Sequence, residues 1–265
     1  MTSLRIHREN AVYELKELEA QYADSLSDKQ LLKCYKQYIE RLHFVAYIGI
    51  LADTDYHEYE KNLLRSSENW SHLLTVKNQD KQTIPSSFLL PVFGLLALGH
   101  FDKALELVEQ SSTQRVQPEY ADEFHYAQLI YLLVLNSQKP VTADMLQLAI
   151  NNFKASLGDM DPTRAIVCQS IVEKDQALFH ESIANLNDAF LQEMEQKSKS
   201  SASSTLLVET TSHFWLEGIA LIKLAKQYEL EVNFDYPAIP YLVHKDSNRK
   251  VINDCILGKF PFPGK

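Results

Sequence analysis

Apolar residues recur every three or four positions along most of this chain, and that spacing limits the elements it can form. Leu31, Leu32, Tyr35, Tyr38, Ile39, Leu42, Val45, Ala46 and Gly49 set the pattern. Residues so spaced share one face of a helix, whereas a half-buried strand would alternate at every second position. Val12, Leu15, Leu18 and Tyr22 mark a helix before them, and Tyr56, Tyr59, Leu63, Leu64, Trp70, Leu73 and Leu74 mark one after. Ser27 and Gln30 have the spacing of a capping box for the second helix. The polar stretch from Lys77 to Thr83 reads as a loop, and Pro85 suits the start of the next helix. Only 7 Gly and 9 Pro occur in 265 residues, too few for the turns of an all-β sandwich. The expected fold is all-α. It is a single domain of stacked antiparallel helical hairpins, about nine to eleven helices at ordinary helix lengths, with a short extended C-terminal segment. Residues 1–245 form the helical domain and 246–265 an irregular tail.

The middle of the chain has a regularity of its own. Apolar helix ends followed by polar turns begin at Leu98, Leu135 and Val172, each 37 residues after the one before. A period in this range suits stacked αα-hairpins, and Leu98-Gly99-His100-Phe101-Asp102-Lys103-Ala104-Leu105 resembles the turn of a tetratricopeptide-type hairpin. The Trp, Gly, Tyr and terminal Pro positions of that repeat are not reproduced in register, so the pattern indicates hairpins of similar length rather than a repeat array. Ser198 to Ser204 is low in complexity and reads as a loop between helices.

Charge and cysteine usage narrow the function classes. The net charge of −9 works against phosphate recognition, so no nucleic-acid partner is expected, and an acidic surface suits a basic protein. Cys34, Cys168 and Cys255 are far apart, with no C-x-x-C pair, as in a reducing compartment. Charge in Met1 to Glu9 replaces the apolar core of a signal peptide. The longest apolar run, Phe88 to Gly99, contains Pro91 and Gly94 and falls short of the roughly 20 residues that span a bilayer. A cytoplasmic protein with no membrane partner is expected.

Motifs for chemistry are sparse. There is no G-x-S-x-G elbow, no Gly-rich phosphate loop and no H-E-x-x-H. Glu209, His213 and Glu217 would stack along one helix face, and Glu40-x-x-His43 has the spacing of a di-iron bundle motif. Such bundles need two of these motifs, and solvated i,i+4 pairing accounts for the stack equally well. No metal, cofactor or catalytic residue is therefore expected. Asp161 reads as the cap of a helix that begins at Pro162. Glu217 shares a face with Ala220, Leu221 and Leu224 and would be buried. A buried carboxylate must be paired or protonated, and the expectation is a structural pair to a neighbouring helix.

Two acidic-aromatic clusters are the candidate partner-binding residues. The first is Asp53, Asp55, Tyr56, Glu58 and Tyr59, and the second is Glu119, Tyr120, Asp122 and Glu123. Acidic groups interleaved with tyrosines suit a surface that docks a basic partner, while helix-end complementation explains Asp53 and Asp55 as well.

Phe214-Trp215-Leu216-Glu217-Gly218-Ile219-Ala220-Leu221, with Leu224-Ala225, then Tyr228-Glu229-Leu230 and Tyr236-Pro237-x-x-Pro240, resembles the immunity protein 49 family. Upstream, Asp122-Glu123-x-x-Tyr126 and Lys174-Asp175-x-x-x-Phe179 follow a similar order, and the similarity covers about residues 30 to 245. The resemblance implies a bacterial immunity protein that binds a cognate toxin effector, with no catalytic residues to carry over. A helical scaffold that binds an endogenous protein or peptide is the alternative.

Overall fold

Ten α-helices make up the described part of the chain, with no strand among the described residues. The computed structural model describes residues 2–23, 28–199, 208, 210–247 and 257. The helices are α1 (Thr2–Ala23), α2 (Asp28–Asp53), α3 (Tyr56–Gln79), α4 (Leu90–Leu98), α5 (Phe101–Gln110), α6 (Ala121–Gln138), α7 (Ala143–Leu157), α8 (Thr163–Glu173), α9 (Gln176–Lys199) and α10 (Leu216–Gln227). A 3₁₀ turn follows at Tyr241–His244. The all-α hairpin stack expected from the periodicity is the fold observed. Helix α2 packs between α1 and α3, the pairs α4/α5, α6/α7 and α8/α9 form hairpins, and α10 returns to lie against α4.

The turns follow from residues that close helices cheaply. Gly99 ends α4 in the left-handed region (φ +80°), and the His100 amide returns to the Leu95 carbonyl at 3.0 Å. Lys174 does the same for α8 (φ +54°), and Asp175 then caps α9 by accepting from the Leu178 amide at 3.0 Å. The three helix ends spaced 37 residues apart in the sequence are the turns of the three hairpins.

Some boundaries differ from the sequence reading. Helix α3 continues to Gln79, and the next helix starts at Leu90 with Pro91 in its first turn, not at Pro85. Both prolines are compatible with a helix start, but only the run after Leu90 is apolar on every side and can be buried. Pro162 stands just before α8, while Asp161 accepts from the Thr163 amide at 2.9 Å and so provides the expected cap one residue further on. The Ser27 box and the Ser200–Ser204 part of the serine-rich loop lie outside the described residues; Ser198 belongs to α9.

The centre of the core is built by α4 and α10. Eight of the nine residues of α4 and nine of the twelve of α10 are buried. Each Leu or Ile so buried contributes about 1.5–3 kcal/mol. Around them Phe214 stacks on Tyr47 at 4.3 Å and Trp215 stacks on Phe190 at 5.8 Å. The chain then turns back, so that the Trp215 amide donates to the Ala238 carbonyl at 2.8 Å and Tyr236 stands edge-on to the indole. The tail is tied down in places. Buried Lys223 donates to the Lys245 carbonyl (2.7 Å) and to Asp246 (2.9 Å), and Leu257 is fully buried beside Asn69.

Candidate functional site

A cleft of about 650 Å³ opens where α2, α4, α6, α7, α8 and α10 meet. Four aromatic rings, Phe88, Phe93, Tyr126 and Phe153, line it together with Leu89, Leu90, Leu157 and Met160. Tyr126 stacks on Phe153 at 5.1 Å because the α6/α7 hairpin brings their inward faces together.

Glu217 reaches this cleft from α10. The Arg164 Nε donates to its Oε1 at 2.6 Å and Nη2 to its Oε2 at 3.0 Å, a bidentate pair across helices. The Tyr126 hydroxyl donates to the same Oε1 at 2.5 Å, and the guanidinium lies 5.6 Å from the centroid of the Tyr126 ring. The carboxylate holds the guanidinium charged, and burial with the adjacent Glu217 charge raises the Tyr126 phenol well above its ordinary value. Pairing of Glu217 to a neighbouring helix matches the sequence reading. Its side chain nevertheless keeps 16% exposure on the cleft wall, so it is a lining group and not a fully enclosed one.

Lys36 of α2 is the second cation of the cleft, with its ammonium 5.1 Å from the centroid of Phe88. Burial lowers its pKa, against the upward pull of Glu119, Glu40 and Glu123. At the rim, Asp122 and Glu123 open α6, where carboxylates complement the helix N-terminus. Tyr120 just before them is 71% exposed, and Met160 on the α7–α8 turn is 51% exposed.

The structure divides the second acidic cluster. Asp122 and Glu123 line the cleft and Tyr120, just before α6, is exposed, but Glu119 is buried and turned away from solvent. Its Oε1 accepts from the Ser87 amide at 2.6 Å and Oε2 from the Val116 amide at 3.1 Å, which ties two loops together. Backbone amides off the regular helices need such an acceptor, and a carboxylate one residue out of phase with its neighbours is placed to supply it.

The first cluster is engaged within the chain. Asp53 pairs with Arg5 (2.9 Å) and Arg8 (3.5 Å), and Glu58 pairs with Arg8 at 2.5 Å. Asp55 caps α3 through the Glu58 amide at 2.9 Å. Tyr56 donates to the Lys245 carbonyl, and Tyr59 is fully buried between Tyr56 and Phe214. These residues join α1, α2, α3 and Lys245 just after the 3₁₀ turn. Within the chain the acids expected for docking have structural partners: the arginines of α1 pair with Asp53 and Glu58, and Asp55 caps α3.

The residues considered as metal ligands separate in space. A turn at 212–215 interrupts the helix on which His213 and Glu217 would have stacked, because the Trp215 amide bonds Ala238 instead of a preceding helical carbonyl. His213 is exposed, and Glu209 lies outside the described residues. His43 is buried with both ring nitrogens taken, Nδ1 by Tyr47 (3.0 Å) and Nε2 by Ser66 (2.8 Å). Glu40 and His43 line a second cleft of about 480 Å³ that shares Leu90 with the first. Among the described residues no group of three His, Cys, Asp or Glu side chains could hold a metal ion.

Lys36, Phe88, Phe93, Phe153 and Arg164 were not singled out from the sequence. Lys36 left a trace there as a charge at the edge of the apolar stripe of Leu32, Tyr35 and Ile39, and Phe88 and Phe93 lie in the longest apolar run.

Fold and site together define an all-helical hairpin stack with an amphiphilic cleft lined by acids and by exposed Met160. No helix among the described residues is long and apolar enough to cross a membrane. No protein-family model, curated protein or solved structure matches this chain.

Proposed function

We propose that this chain is a cytoplasmic immunity protein that binds and neutralises a cognate antibacterial toxin, a basic nuclease by charge, through protein–protein contact at the cleft mouth. The resemblance carried by Phe214–Ala225 and Tyr236–Pro240 suggests the class. The observation that supports the site is the grouping of exposed Met160 with Asp122 and Glu123 on one cleft, with exposed Tyr120 two residues before Asp122 in the chain. An aromatic or Met anchor beside rim charges is how protein interfaces divide their work: the anchors give tightness, and the charges give fast, selective encounter. The chain's charge of −9 favours a basic partner.

Co-expression with the product of the adjacent gene tests the reading. That product is expected to stop growth alone and to be harmless when this protein is present. If it is harmless alone, or equally toxic with the protein present, the proposal is lost. The three hairpins α4/α5, α6/α7 and α8/α9 favour one alternative, a scaffold that holds an endogenous peptide. Recovery of one host protein in stoichiometric complex, with no toxin protection, would select it.

A further inference from the structure

We infer that the cleft takes a cationic side chain, an arginine or lysine of the protein partner, laid against its aromatic walls with its charged end at Asp122 and Glu123. This rests on the protein-binding reading above and names the anchor that reading leaves open.

Two observations support it independently. The walls already hold two cations of this chain face-on: the Arg164 guanidinium over Tyr126 at 5.6 Å and the Lys36 ammonium over Phe88 at 5.1 Å. Aromatic faces attract cations through the ring quadrupole, most strongly where water is thinned, so a further cation meets the same chemistry on this lining. The second observation is the charge balance. Arg164 and Glu217 cancel each other. Asp161 accepts from the Thr163 amide and hydroxyl and has no cationic partner among the described residues. Asp122 and Glu123 have neither a hydrogen bond nor an ion pair among the described residues, and Lys36 is the one lining cation left to set against these three carboxylates.

An acidic guest would meet that surplus of like charge, and a purely apolar guest would desolvate Asp122 and Glu123 without replacing their water. A long cationic side chain avoids both, since its methylenes cover the rings while its head stays at the rim. About 650 Å³ is ample for one such side chain.

Methionine methyl NMR provides a local readout, because the chain has only 4 Met and one of them, Met160, lines the cleft. The probes are a hexapeptide of alternating arginine and tryptophan and its glutamate–tryptophan counterpart. The arginine peptide is expected to shift Met160 while leaving Met145 and buried Met194 in place. The double variant Asp122→Asn, Glu123→Gln is expected to weaken binding about three- to tenfold, and added salt to weaken it further. Lys36→Met, which removes the opposing cation, is expected to strengthen it about two- to fivefold.

The inference is overturned if the glutamate peptide shifts Met160 instead, if neither peptide does, or if Lys36→Met weakens the arginine peptide. Its failure is separable from that of the immunity reading. Protection from the toxin with Met160 unmoved would sink the anchor alone. A shifted Met160 without protection would sink immunity alone.

Discussion

Gly218 lies directly beneath the indole of Trp215, so close that a Cβ on Gly218 would stand 2.1 Å from the Trp215 Cε3. The tryptophan folds back over the first turn of α10, where only a residue without a side chain leaves room. Its ring is thereby presented to Phe190 and Tyr236, and its amide to Ala238. Trp-Leu-Glu-Gly is therefore an interlock that starts α10 and clasps the segment returning after it.

Gly218→Ala tests the interlock. Alanine in a helix interior is ordinarily favoured over glycine by about 1 kcal/mol. Here it must displace a buried indole from backbone-like distance, and overpacking of this kind costs about 1–3 kcal/mol or more. A net loss of about 2 kcal/mol is expected in urea denaturation, with a red-shifted tryptophan emission. A stabilised variant would refute the contact.

Glu217 and Arg164 are expected to be coupled. Glu217→Gln removes the charge from a bidentate pair and leaves the Tyr126 hydroxyl a weaker acceptor. Because Arg164 is 47% exposed, water screens much of the pair, so a loss of about 1–2 kcal/mol is expected. A double-mutant cycle with Arg164→Met should give a coupling of about 1 kcal/mol. Strict additivity would mean that the pair contributes nothing.

His43 sets a pH dependence. Burial pushes its pKa from 6.5 down to about 3, so the folded state keeps it neutral where the unfolded chain takes up a proton. Its contribution is fully present above pH 6.5 and is lost as pH falls from there toward 3. Between about pH 7.5 and about pH 5 the wild type should lose roughly 2 kcal/mol that His43→Gln does not lose. Parallel stability profiles for the two proteins would show that His43 is protonated in the fold.

Lys223 is expected to hold the segment 245–247. It is 2% exposed and bonds the Lys245 carbonyl and Asp246, while the Ser247 amide donates to the Leu98 carbonyl at 2.8 Å. Lys223→Met keeps the apolar stem and loses both bonds. Hydrogen exchange should quicken at Ser247 by about tenfold or more while amides of α4 and α10 keep their protection. Unchanged exchange at Ser247 would show that this segment is held without Lys223.

Much of the architecture was legible because helical periodicity is local. The stripes of α2 and α3 and the three evenly spaced turns needed only residues a few positions apart. Start sites were less legible, since Pro85 and Pro91 carry the same local signal and burial chose between them. The site was legible in part. Asp122, Glu123 and Glu217 were noticed for their charge and proved to share one cleft, whereas Arg164 and Phe153 carry no local mark and gain meaning only from what the hairpins place opposite them.

The chain by itself determined that it would be helical and that Glu217 would need a partner. Helix formation and burial pattern follow from neighbours three or four residues away. Tertiary structure alone decided which charges face outward. Asp53 and Glu58 are neutralised by arginines on α1, and Glu119 is turned inward onto loop amides. Asp122 and Glu123, two and three residues past Tyr120, remain at an open cleft. Composition cannot distinguish these carboxylates, because the availability of a charge depends on what the rest of the fold brings within hydrogen-bonding distance of it.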